Sequence, residues 1–129
     1  MVAVDTNVLI RLVTNDHSAQ AARAAAVFRS GPVFVAKSVL LEAEWVLRYS
    51  YDLDTEAILR ALRGVLGLAN VSVEDPATAA AALWLCEQGV EFADALHLAS
   101  STHADRFVTF DARLVKRAAR VAPGRVRLA

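Results

Sequence analysis

Four acids occupy conspicuous places in the chain. Asp5 follows the apolar run VAV, and Asp111 follows FVTF. Glu42 lies within SVLLEAEW and Asp94 within EFADALHLAS. An ionised carboxylate in apolar surroundings is costly unless it is solvated, paired or bound to a metal. Each acid also has a plain reading. Asp5 and Asp111 can cap helices, Asp94 can cap a helix starting near residue 95, and Glu42 can be a solvated helix residue whose face Glu44 cannot share. As a set they imply more, because an α/β chain can bring all four to one edge of its sheet. Two like charges about 4 Å apart repel by about 1 kcal/mol in bulk water and by about 4 kcal/mol at an effective dielectric of 20. A cluster of this kind takes up protons or holds a cation. Only oxygen ligands are on offer, without paired His or Cys, which favours Mg²⁺ or Mn²⁺ over zinc. Such a cation can activate water and neutralise a phosphodiester during in-line attack.

The elements that must position these acids follow from patterning. Residues 2–4 read as a short buried strand ending on Asp5, and Asp5-Thr6-Asn7 offers N-cap chemistry for a helix carrying Val8, Leu9, Leu12 and Val13. A second helix covers 18–28. Gly31-Pro32 breaks the chain, and 33–36 is the next strand. A helix over 38–51 presents Leu40, Leu41, Trp45, Val46 and Tyr49 as a broad apolar face. Asp54 or Thr55 caps a helix to about residue 66, and 71–73 is a third strand. Pro76 suits the first turn of a helix that reaches about 88 and stops at Gly89. Residues 92–103 are helical, 107–110 form a fourth strand, 112–120 a short helix and 126–128 a last edge strand. Strands alternating with helices imply βαβ units, right-handed crossovers and a mostly parallel sheet between helical layers. Ligands of such sheets bind outside the carboxyl ends of the strands, where Asp5 and Asp111 fall.

Composition bounds the function further. The 129 residues suit one domain, and 56% hydrophobic against 22% charged residues permits a substantial core. Fourteen basic and fourteen acidic residues give a net charge of +0, so bulk charge does not recruit a nucleic acid, although a local patch can. The single Cys86 excludes an internal disulfide and a cysteine-based zinc cluster. The apolar start is broken by Asp5, Asn7 and Arg11 and lacks a basic leading segment, so the expectation is a soluble cytoplasmic chain without a membrane span.

The strings VDTNVLIRL, LLEAEWVLR, FADALHLA and VTFDARL together closely resemble the PIN-domain nucleases, and look like the VapC-type toxins of bacterial toxin–antitoxin pairs. The resemblance runs from Val4 to Leu114 in the expected order. It implies a single PIN domain over residues 1–129, an α/β/α three-layer sandwich with a central, mostly parallel sheet of four to five strands. It also implies a ribonuclease with an acidic Mg²⁺ or Mn²⁺ site. Carried over residue by residue, Asp5, Glu42, Asp94 and Asp111 are the acidic catalytic set. Asp5, Asp94 and Asp111 match the metal ligands, and Glu42 completes the pocket or orients water. Thr6, Asn7 and Thr109 match supporting polar positions. Relatives often carry Asp where Glu91 stands, so Glu91 is an additional acid or simply a helix-start residue. The implied partners are an RNA substrate, a cognate antitoxin that sets a basic side chain against the carboxylates, and a second copy of the chain in a homodimer.

Other readings stay in view. A binding module with this fold and no catalysis gives no reason to keep four acids. A phospho-accepting receiver would want a lysine after a late strand, where Thr109-Phe110-Asp111 stands, and a DxDx phosphatase would need Asp where Asn7 is. Trp45 and Trp84 are expected in the core, with partner contact as the other reading. His97 reads as a packed or surface residue, His17 and His103 as helix-end residues, and Cys86 as a core thiol. Arg106, Arg113, Lys116, Arg117, Arg120, Arg125 and Arg127 put half of the basic residues after Asp105. That run is an RNA-backbone patch or a solvated basic face.

Overall fold

In the computed structural model, which describes residues 1–129, strands and helices alternate as the patterning requires. The chain divides into two units, Met1–Pro76 and Ala77–Ala129.

The first unit holds strands β1 (Val2–Ala3), β2 (Val33–Val35) and β3 (Val71–Val73) in one parallel sheet of order β1-β2-β3. Val33 pairs with Val2 on one side and Val71 on the other, so β2 is central and both its valines are buried. Helices α1 (Thr6–Thr14) and α2 (Ser18–Ser30) connect β1 to β2, and α3 (Lys37–Tyr49) and α4 (Thr55–Leu66) connect β2 to β3. Crossovers of this length are what parallel pairing demands. Leu9 and Ile10 of α1, Leu40 and Leu47 of α3, and Ile58 and Leu62 of α4 are fully buried with the β2 valines and form the core. Helix α3 has no side-chain cap of its own from Ala36. Instead, the Lys37 backbone N–H donates to Glu74 Oε1 at 2.9 Å, and Glu74 N–H donates to the Val35 carbonyl at 2.9 Å. The loop after β3 thereby satisfies an orphan donor at the start of α3.

The second unit holds all but the first residue of α5 (Pro76–Glu87), together with α6 (Phe92–Ala99), β4 (Phe107–Thr109), α7 (Ala112–Ala118) and β5 (Val126–Leu128). Strands β4 and β5 pair in parallel, with α7 as their crossover. Its core gathers Leu83, Leu85 and Cys86 from α5, Phe92, Leu96 and Leu98 from α6, and Leu114 from α7. Helix α5 stops as expected at Gly89, whose φ of 104° suits glycine. Val90 N–H bonds the Leu85 carbonyl and Gly89 N–H the Cys86 carbonyl, each at 3.1 Å, a Schellman closure that sets the path into α6.

All five strands are present and all pairings are parallel, divided as three strands in one unit and two in the other. Four expectations need correction. Strand β1 is not buried: Val2 is 50% exposed and Ala3 is exposed, because β1 is an edge of its sheet, and only Val4 beyond it is buried. Helix α6 ends at Ala99 rather than 103, so His103 lies in a turn and not at a helix end. There the Ser101 hydroxyl donates back to the His97 carbonyl at 2.7 Å, the local competition that makes serine a poor helix interior residue. Trp45 and Trp84 are 56% and 47% exposed and lie outside the core. Helix α3 turns Leu40, Ala43, Glu44 and Leu47 inward, which leaves Trp45 against Tyr49 on the outside, ring centroids 5.4 Å apart.

Candidate active site

In the first unit Asp5 sits immediately after Val4, whose N–H extends the β1–β2 ladder to the Phe34 carbonyl. Asp5 is the N-cap of α1, and its Oδ1 accepts from Val8 N–H at 3.1 Å. The carboxylate is exposed, and that single bond fixes its direction. Thr6 beside it is buried, whereas Asn7 is exposed. Asp5 and Asn7 rim a cavity of about 310 Å³ with Val8, Arg11, Gln20, Arg23, Ala24 and Val27. Arg11 is held on its wall: Nε donates to Gln20 Oε1 at 2.7 Å and Nη1 to Tyr51 Oη at 2.9 Å. Tyr51 in turn donates to Asp16 Oδ2 at 2.8 Å, which with the Thr14 hydroxyl holds the Asp16 carboxyl below its usual range. This network joins residues up to 40 positions apart, and no local spacing announces it.

Glu42 is exposed on α3, as a carboxylate available to a ligand must be. Its neighbour Glu44 is the buried acid of that helix, 5% exposed, and is paired with Arg48 Nη2 at 2.9 Å and Nε at 3.0 Å. Arg48 also donates to Thr55 Oγ1 at 3.2 Å. The signal for Glu44 lay in the sequence, since Leu40, Ala43 and Leu47 fall on its face and Arg48 lies one turn on.

In the second unit the acids feel one another. Asp94, in the first turn of α6, is half-buried. Burial pushes its carboxyl above the ordinary range, and the negative charges of Glu91 and then Asp111 push it further, against the weaker pull of His97 and Arg117. Glu91, at the N-cap position of α6, makes no capping bond with its side chain and meets Arg117 Nη1 at 3.6 Å. Asp111 caps α7, with Oδ1 accepting from Arg113 N–H at 2.9 Å and Leu114 N–H at 3.3 Å. Thr109 Oγ1 accepts from Asp111 N–H at 3.0 Å, which pins the strand-to-helix turn. His97 is exposed on the Asp94 side of α6, the face its three-residue spacing allows.

The donor set is one of carboxylates alone, the hard-oxygen chemistry that suits Mg²⁺ or Mn²⁺, and excess negative charge already weighs on Asp94. Neither unit by itself gathers three or more His, Cys, Asp or Glu side chains into a group able to hold a metal ion.

The PIN domain family model matches residues 2–121. The chain belongs to the PIN domain family. As a PIN domain it is α/β with parallel strand pairing, and the match extends across both units. Among solved structures, the PIN chain is similar to the crystal structure of Mycobacterium tuberculosis VapC20, described as a sarcin–ricin loop cleaving toxin. Identity is 23%, coverage 97% of this chain and 99% of that one, and the TM-score 0.46. No curated protein sequence matches. No helix of the PIN chain is long and apolar enough to cross a membrane.

Proposed function

We propose that this PIN domain is a Mg²⁺- or Mn²⁺-dependent endoribonuclease of the VapC type, the toxin of a type II toxin–antitoxin pair acting in the cytoplasm. Residues 1–129 are read as one catalytic domain. The observation that carries the reading is the crowding of half-buried Asp94 by Glu91 and Asp111 in a chain of the PIN family. Negative charge gathered around a half-buried carboxylate is what a bound cation would relieve, and this supports a cation site over a plain binding fold.

Asp5, Asp94 and Asp111 are the proposed metal ligands. A bound divalent cation supplies a more acidic water and neutralises charge on the phosphodiester. The chain's own residues do the rest. Asp5 and Asp111 each spend Oδ1 on a helix cap, which holds the carboxylates in fixed directions. Glu42, exposed on α3, completes the pocket or orients water. Thr109 braces Asp111 through its backbone N–H, and Thr6 and Asn7 frame Asp5. Glu91 adds negative charge beside Asp94 and is itself balanced by Arg117. The proposed partners are RNA, a cognate antitoxin that offers a cation to the carboxylates, and a second copy of the chain.

The test is cleavage of structured RNA with and without EDTA, alongside Asp5→Asn and Asp94→Asn. Cleavage should vanish in the chelator and in both variants. Undiminished cleavage in EDTA would remove the mechanism. Calorimetry separates the binding-module reading: no heat at millimolar Mg²⁺ or Mn²⁺ would leave only a module.

A further inference from the structure

The second unit carries a groove of about 380 Å³ lined by Gln88, Gly89, Arg113, Lys116, Arg117 and Arg120. Four of those six residues are cations and none is an acid. Arg113, Lys116, Arg117 and Arg120 follow i, i+3, i+4, i+7 spacing, so they fall on one face of α7 and its C-terminal extension. All four are exposed. Only Arg117 has an acidic partner, Glu91 at 3.6 Å. On a chain with a formal net charge of +0, such a row is a concentration of charge rather than a share of a general excess.

We propose that this α7 groove grips the sugar-phosphate backbone of RNA, a proposal that rests on the ribonuclease reading and specifies how its substrate is held. Three of the four cations are arginines, whose planar fork matches phosphate oxygens in pairs. At 1.5 Å per residue, Arg113 and Arg117 are separated by about 6 Å along the helix axis, a span that reaches more than one phosphate of a strand. No aromatic side chain lines the groove, so it lacks a ring platform for bases and offers charge rather than a sequence code. The direction is set by α7 itself. Its N-cap is Asp111, two residues before Arg113, so a strand held along this face runs toward a proposed metal ligand.

The test uses the full chain in EDTA, with a fluorescent single-stranded RNA as probe, and the slope of log affinity against log salt as readout. Each phosphate contact contributes about −0.7 to that slope for single strands. Four contacts predict a slope near −2.8, or about a 50-fold loss of affinity between 50 and 200 mM salt. The variant R113Q/K116Q/R120Q, which leaves the Arg117–Glu91 pair in place, should flatten the slope by about 2. R113K/R120K should keep it, and each single glutamine variant should remove about 0.7, which covers the case in which the triple variant fails to fold. R29Q, an exposed charge on α2, serves as control and should change nothing. If wild-type protein cleaves RNA but the triple and single variants keep its salt slope and KM, the groove proposal falls and the ribonuclease reading stands. If RNA binds with the expected slope but no metal supports cleavage, the groove stands and the ribonuclease reading falls. If the triple variant instead loses affinity only for polyglutamate, the groove serves an acidic peptide and the RNA proposal is overturned.

Discussion

Asp94 is half-buried, and its carboxyl is pushed up first by burial and then by Glu91 and Asp111. Its folded-state pKa lies above the ordinary value of 3.8, so between those two values the folded state binds more protons than the unfolded one. Stability contributed by this group is therefore present at low pH and lost as pH rises through the elevated pKa. Thermal melts in EDTA should show wild-type stability declining over that window relative to Asp94→Asn, which should be flatter and more stable near neutrality. An identical pH profile for both proteins would contradict the electrostatic account. Glu44 makes a second case at the same scale. Arg48→Ala leaves a carboxylate buried at 5% exposure without its short ion pair and should cost about 1–3 kcal/mol in denaturant melts. Glu44→Met removes the buried charge instead and should cost less.

At the level of elements, Asp5 and Asp111 each do two jobs. Both cap helices, and both are proposed to bind the cation. Asparagine caps as well as aspartate, whereas alanine loses about 1 kcal/mol. Asp5→Asn should therefore melt like wild type yet lose metal-dependent activity, and Asp5→Ala should lose both; melting curves and RNA cleavage on the same samples decide it. Glu42→Gln, which removes a group that acts through water, should lower activity by about 10–100-fold without changing the fold. The elements themselves were largely legible in the sequence, because apolar periodicity and stop signals such as Gly31-Pro32 and Gly89 act locally. The overrun of α6 past Ala99 arose where Ser100-Ser101 ended the helix by hydrogen bonding that periodicity does not register. Trp45 was misplaced because two apolar stripes run along α3, and only the one through Leu40, Ala43 and Leu47 faces inward. The acids around Asp94 were legible as residues and as a motif, but the pull of Arg117 on that group was not. That interaction joins α6 to α7, and no spacing rule links them.

For the whole molecule, a ligand that binds only the folded state stabilises it by mass action, by about 2.7 kcal/mol when present at a hundred times its Kd. Mn²⁺ or Mg²⁺ should raise the melting temperature of the wild-type chain and leave that of Asp5→Asn and Asp94→Asn nearly unchanged. Residues 1–129, read as one domain, should lose structure in a single transition with coincident fluorescence and circular dichroism; two separated transitions would overturn that reading. Cys86 offers an independent view of the same event. It is the chain's one thiol, and it is 4% exposed in the last turn of α5. A maleimide can reach it only when the second unit breathes, so the labelling rate is a clock for that opening, wound by the fold and readable without engineering any residue.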